Sequence, residues 1–200
     1  GPALLGLATP LAAAEPPRSA WQIGCYTRPW DQHDYRVAFD GIAEAGFKYA
    51  GLMTAKCPTW VLITAATPVE EAARLGKELR QRGLAALSLY GGDFGAEKSV
   101  AEGIKGLTSL IDNCVACGSP NLLLGGTTKE EVFGPYYETV RECCRYAASK
   151  QVRLSIKPHG GQNATGPQCR KVIEKVGHDA FRLTYDPGNI LYYSDAKLNP

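Results

Sequence analysis

Pro120-Asn121-Leu122-Leu123-Leu124-Gly125-Gly126 is the stretch that decides the fold. Three consecutive leucines closed by two glycines offer apolar side chains to both faces of a strand, the mark of a strand covered on both sides. Leu84-Ala85-Ala86-Leu87-Ser88-Leu89 reads the same way. Outward from these two runs, short apolar segments alternate with longer amphipathic ones. The strand candidates are 21–26, 47–54, 84–90, 120–125, 152–157 and 181–186, with helices expected over 35–45, 69–82, 96–117, 130–150 and 168–176. Thr67-Pro68-Val69-Glu70 sets a capping residue before Pro and Glu, and Gly83 closes that helix. Gly46 and Gly118 end two others. Strict alternation of this kind means a parallel sheet with right-handed crossovers.

An open doubly wound sheet and a (β/α)8 barrel both satisfy that pattern. Strand starts from 21 to 181 fall on average 32 residues apart. Eight such units need about 250 residues, the usual size of a barrel. Six units are present, and a six-strand sheet leaves two raw parallel edges, which natural proteins avoid. The expectation is an α/β fold, a (β/α)8 barrel truncated after about six units, over residues 21–200. Such a piece is expected to fold poorly alone, because barrel closure needs every strand.

Composition narrows the function classes. The 200 residues are 44% hydrophobic and 21% charged, the balance of an ordinary globular domain rather than a disordered or collagenous chain. Lys and Arg number 22 against 20 Asp and Glu, and no run gathers like charges into a basic stripe. That speaks against nucleic acid as partner. No 18-residue apolar run is present, so no membrane span is expected. Seven cysteines are an odd number, and Cys114 and Cys117 form a lone C-x-x-C without a second pair at zinc spacing. Buried core thiols are the reading. Residues 1–20 resemble the remnant of a secretory signal: an apolar, small-residue run, then Ala12-Ala13-Ala14 before Glu15-Pro16-Pro17. A disordered leader is the other reading. Export to the periplasm or outside follows from the first, a cytoplasmic protein from the second.

In a barrel the chemistry gathers at the carboxyl ends of the strands. Strand one leads into Thr27-Arg28-Pro29-Trp30-Asp31-Gln32-His33, and strands three and four into Gly91-Gly92-Asp93 and Gly125-Gly126-Thr127. Strand five ends in Lys157-Pro158-His159-Gly160-Gly161 and strand six in Asp186-Pro187-Gly188-Asn189. The last of these is also a good turn sequence. A lysine closing a buried strand must reach water or find a partner, which singles out Lys157. Trp30 and Trp60 suit sugar stacking or a lid over the core, and His33 suits a ligand contact or simple solvation. His178 falls on the opposite, stability face and is set aside. No G-x-G-x-x-G, H-E-x-x-H or G-x-S-x-G is present.

Ile23-Gly24-Cys25-Tyr26, then Ile42-Ala43-Glu44-Ala45-Gly46-Phe47 leading into Gly51-Leu52, resembles the first unit of xylose isomerase-like TIM barrels. The resemblance continues through Gln81-Arg82-Gly83-Leu84 and the ends of strands five and six. That superfamily includes sugar phosphate isomerases/epimerases, tagatose/psicose 3-epimerases and, distantly, endonuclease IV. It implies a divalent metal ion (Mn, Mg, Co or Zn) at the barrel mouth, held by Glu, Asp, His and Glu from strands five to eight. Asp186 falls on the strand-six Asp. Lys157 stands where the family has the strand-five Glu, and a protonated Lys does not ligate a hard cation. Asn189 stands where the epimerases often have His, and His159 fits a recurrent His or Asn of the strand-five loop.

The resemblance implies a sugar isomerase or epimerase working by proton abstraction next to a carbonyl. Asp186 is the expected metal ligand, Lys157 and His159 the catalytic residues, and Trp30, His33 and Asn189 substrate contacts. A non-catalytic carbohydrate-binding barrel with a decayed metal site and a keto-glycoside lyase are the alternatives. An endonuclease IV-like nuclease ranks last, since its zinc cluster consumes many histidines and this chain has three. A carbohydrate is the expected partner, and a homo-oligomer is left open.

Overall fold

Six strands form one parallel sheet in the order in which they occur along the chain. The strands of this computed structural model, which describes residues 21–193, are β1 (Gly24–Tyr26), β2 (Tyr49–Leu52), β3 (Ala85–Tyr90), β4 (Asn121–Leu124), β5 (Arg153–Ile156) and β6 (Phe181–Leu183). The helices are α1 (Tyr35–Glu44), α2 (Val69–Gln81), α3 (Val100–Cys117), α4 (Glu130–Ser149), α5 (Gly166–Val176) and α6 (Pro187–Tyr193). Both the signal-like leader and the last seven residues lie outside the described residues.

The strand order decides between the two closures. A doubly wound sheet reverses direction at its switch point, whereas here every crossover moves one strand onward in the same sense. Right-handed crossovers that never reverse put all helices on one face, which is the winding of a β/α barrel. Six consecutive units of that winding are present. Among the described residues β1 pairs only with β2 and β6 only with β5. Trp21 and Tyr192, near the two outer strands, are 92% and 80% exposed.

Side-chain alternation then sorts the strands into a helix face and a lumen face. Leu122 and Leu124 of β4 join the core shared with the helices, as do Leu154 and Ile156 of β5. Between them Leu123 and Ser155, partners in register, point the other way. In β3 the register against β2 shifts, Ala50 opposing Ala86 and Gly51 opposing Ser88, so Leu87 is an extra residue. The shift turns Ser88 into the lumen and gives Leu89 to the helix side. Against that face pack Phe39 and Ile42 of α1, Leu75 and Leu79 of α2, Leu107, Leu110 and Ile111 of α3, and Tyr137 and Val140 of α4, all essentially inaccessible.

The lumen is polar. A cavity of about 630 Å³ is bordered by residues from five strands, among them Tyr26, Ser88, Asn121, Arg153, Ser155 and Arg182. Asn121 Nδ2 donates to Ser88 Oγ at 2.8 Å, and Thr184 Oγ1 to Ser155 Oγ at 3.0 Å.

Local rules account for most boundaries. Ser99 caps α3, and Thr165 with Gln168 forms a reciprocal capping box on α5. Gly118 and Gly177 close α3 and α5 in the left-handed conformation. At α2 the expectation is corrected: Pro68 occupies the cap position, and Thr67 Oγ1 instead accepts the Thr64 N–H at 2.9 Å. Helix α6 takes the place of the turn that its first residues suggest. Asp186 Oδ1 accepts the Asn189 N–H at 2.9 Å and starts the helix, with Pro187 as its first residue. All seven cysteines are free; burial pushes Cys117 and Cys143 up to about 11 and Cys144 up to about 12. His178 serves the fold, its Nδ1 accepting the Ala180 N–H at 3.0 Å. Among the described residues no helix is long and apolar enough to cross a membrane.

Candidate active site at the barrel mouth

Adjacent parallel strands bring their carboxyl ends together, so β5 and β6 set Lys157 beside Asp186. Lys157 Nζ lies 4.0 Å from Asp186 Oδ2, with the two side chains 16% and 31% exposed. At that distance the pair attracts without a hydrogen bond. Asp186 is already half engaged, because its other oxygen caps α6. Asn189 Nδ2 donates to the Pro158 carbonyl at 2.7 Å, tying the loop after β6 to the loop after β5.

The β5 loop is shaped by its glycines. Gly160 and Gly161 both have positive φ, and a Cβ on Gly161 would lie 2.8 Å from the Thr128 Cα of the β4 loop. Asn163, 1% exposed, then folds back to donate from Nδ2 to the Lys157 carbonyl at 2.8 Å, while its carbonyl accepts the His159 N–H at 3.3 Å. The His159 ring sits against Tyr193 of α6, ring centres 5.1 Å apart, with the hydroxyl 3.4 Å from Nε2.

Charge couples these groups. Burial lowers the Lys157 pKa, Asp186 opposes that shift, and Arg28 adds to it. His159 is also lowered, by burial first and then by the Lys157 and Arg28 cations, against Asp186. Its imidazole is therefore neutral at pH 7. Tyr90, at the end of β3, is raised by burial, with Arg28 opposing and Asp93 adding. Tyr26 is raised by burial, with a bond to Ser88 opposing and Asp186 adding. Lys157, His159, Asp186 and Arg28 are thus close enough to act on one another's charge.

The sequence expectations are met unevenly in space. Lys157, His159 and Asp186 come together. Trp30 packs its indole on α1, where a Cβ on Gly41 would meet it at 3.0 Å, and is half-buried against the core. His33 is exposed, its carbonyl accepting the Lys56 N–H at 2.9 Å. Among the described contacts none joins Trp30 or His33 to the Lys157 cluster. Sequence reasoning does not single out Arg28, Asn163 or Tyr193. Asn163 has a usable signal, since an Asn two residues after consecutive glycines is suited to bonding nearby backbone.

For a divalent ion the donors are few. One oxygen of Asp186 is free of the helix cap, and it faces an ammonium 4.0 Å away. Among the described residues no three His, Cys, Asp or Glu side chains gather into a metal site. These residues by themselves do not fit a divalent ion.

The winding and the mouth cluster define a parallel β/α barrel with its candidate site at the carboxyl ends of the strands. More particularly, the chain belongs to the xylose isomerase-like TIM barrel family, whose sequence model matches residues 39–199. Its solved structural neighbours include a D-allulose 3-epimerase from Methylomonas sp. in complex with D-allulose, with 18% identity and a TM-score of 0.66 over 87% of this chain and 66% of that one. A xylose isomerase-like TIM barrel protein from Mycobacterium smegmatis in complex with magnesium has 19% identity and a TM-score of 0.66, over 86% of this chain and 66% of that one. An AP endonuclease of family 2 from Brucella melitensis has 14% identity and a TM-score of 0.65, over 88% and 71%. The chain therefore spans just under two thirds of the first two of these neighbours. No curated protein matches the sequence.

Proposed function

We propose that the protein acts on a sugar or sugar derivative by moving a proton next to a carbonyl, as an isomerase or epimerase does. The observation that carries this reading is the cluster of Lys157, His159 and Asp186 at the carboxyl ends of β5 and β6. Its chemistry suits the task. The neutral His159 imidazole accepts a proton from the carbon beside the carbonyl, and the imidazolium so formed returns it to carbon or oxygen. Lys157 presents a cation to the oxygen on which negative charge develops when the proton leaves. Asp186 holds the ammonium in place, and Asn163 and Asn189 fix the loop that carries both other groups. The epimerase neighbours support the substrate class. A divalent ion on Asp186, in keeping with the magnesium-bound neighbour, needs further protein ligands that are not among the described residues.

A carbohydrate-binding barrel without turnover is the second reading, and the Lys157–Asp186 pair favours it, because a lysine stands where the resemblance expects a carboxylate. Both readings are tested by incubating the protein with keto-hexoses and following isomer formation by NMR. Turnover that falls at least about a hundredfold in His159→Ala and Lys157→Ala, with binding retained, bears out the enzyme. Binding without turnover in the unaltered protein selects the second reading.

A further inference from the structure

One feature of the mouth has no part in that chemistry. Arg28 follows β1, and its guanidinium stands 5.2 Å from the centre of the Trp60 ring, in cation–π range. Among the described residues no carboxylate pairs with it. Two loops far apart in sequence are stitched together to make this shelf. Thr27 N–H donates to the Gly51 carbonyl, Thr27 Oγ1 accepts the Met53 N–H, and Lys56 N–H donates to the His33 carbonyl, at 3.0, 3.0 and 2.9 Å.

The shelf is also held in an unfavourable backbone state. Trp60 has φ of 57°, a left-handed conformation that a bulky side chain adopts only when its surroundings impose it. Here the Ala55 N–H donates to the Trp60 carbonyl and the Trp60 N–H to the Cys57 carbonyl, both at 3.0 Å. An antiparallel bridge between Thr54 and Val61 closes the base of this loop. The result is a 42% exposed indole with a cation laid over it.

Arg28 follows the carboxyl end of β1, as Lys157 and Asp186 follow those of β5 and β6, so all three stand on the same end of the parallel sheet, and the Arg28 charge acts on Lys157 and His159. Arg28 and Lys157 bring two basic groups to this mouth, where Asp186 and, beside Tyr90, Asp93 are the carboxylates. Lys157 is engaged with Asp186, which leaves the planar, five-donor guanidinium available to a ligand.

We propose that Arg28, shelved on Trp60, binds an oxyanion, so that the sugar received at this mouth carries a carboxylate or phosphate at the end away from its carbonyl. This rests on the reading of the mouth as a sugar site. Carboxylate and phosphate present the same paired oxygens to the guanidinium fork.

The test compares three keto-sugars that differ at C6: D-fructose, D-fructuronate and D-fructose 6-phosphate. Their binding is measured by calorimetry to the unaltered chain, to Arg28→Gln and to Arg28→Lys, each checked for a retained fold by circular dichroism. The expected result is roughly tenfold tighter binding of at least one acid than of D-fructose, lost in Arg28→Gln and partly kept in Arg28→Lys. Whichever acid binds more tightly identifies the group as carboxylate or phosphate. D-Fructose binding as tightly as both acids overturns this inference and leaves the proposed function standing. A preference that survives Arg28→Gln overturns the assignment to Arg28. Failure of all three sugars to bind overturns both.

Discussion

Replacing Asp186 by Asn removes the one negative charge that steadies the Lys157 ammonium, while keeping an oxygen to accept the Asn189 N–H. Two unit charges 4.0 Å apart attract by about 1 kcal/mol in water and by about 4 kcal/mol at an effective dielectric of about 20. Exposed pairs give no more than about 1 kcal/mol, but here the side chains are only 16% and 31% exposed. A value of about 1.4–2.8 kcal/mol lies between these limits and corresponds to a roughly ten- to hundredfold change in the neutral fraction of the amine. The direction follows from the charges. Burial and Arg28 already disfavour the ammonium, and only Asp186 opposes them. Acetylation of Lys157 at fixed neutral pH, quantified by mass spectrometry against exposed lysines of the same protein, should therefore accelerate by that factor in Asp186→Asn. An unchanged or slower rate refutes the electrostatic reading of the pair.

Lys157→Glu sets two carboxylates at the ends of β5 and β6, and Mn²⁺ should then raise the melting temperature by a few degrees; an equal rise in the unaltered protein contradicts the donor argument. The depressed pKa of His159 means that the unfolded chain binds the proton better, so stability rises with pH from the folded-state pKa up to the ordinary value of 6.5. His159→Asn should flatten that slope in urea titrations, and an unaltered slope counts against it. A Cβ on Gly76 would collide with the Cys117 carbonyl oxygen, so Gly76→Ala should cost about 1–3 kcal/mol in the same titrations; a neutral effect contradicts the close packing of α2 on α3.

What the sequence discloses and what it hides follow from the range of the interactions. Leu122, Leu124, Leu154 and Ile156 announce their strands, because a buried strand needs apolar residues over its own few positions. The nearness of Lys157 to Asp186 is legible too, since strand ends that are consecutive in a barrel are neighbours in space. Helix α6 is not. Asp186-Pro187-Gly188-Asn189 serves equally as a turn and as a capped helix start, and the choice rests on the residues that follow. The shelf of Arg28 on Trp60 joins two loops through a left-handed tryptophan that no local pattern signals. Trp30, by contrast, reads in sequence as a ligand contact or a lid over the core, and the packing of its indole on Gly41 of α1 depends on tertiary structure alone.

Proton movement next to a carbonyl leaves a direct isotopic record. Incubating the protein with a keto-sugar in D₂O and reading the carbon beside the carbonyl by NMR tests the proposed chemistry without assuming which isomer forms. The account predicts deuterium at that carbon with the unaltered chain and its loss in His159→Ala. A keto-sugar that binds at the mouth and keeps all its carbon-bound protons would contradict it.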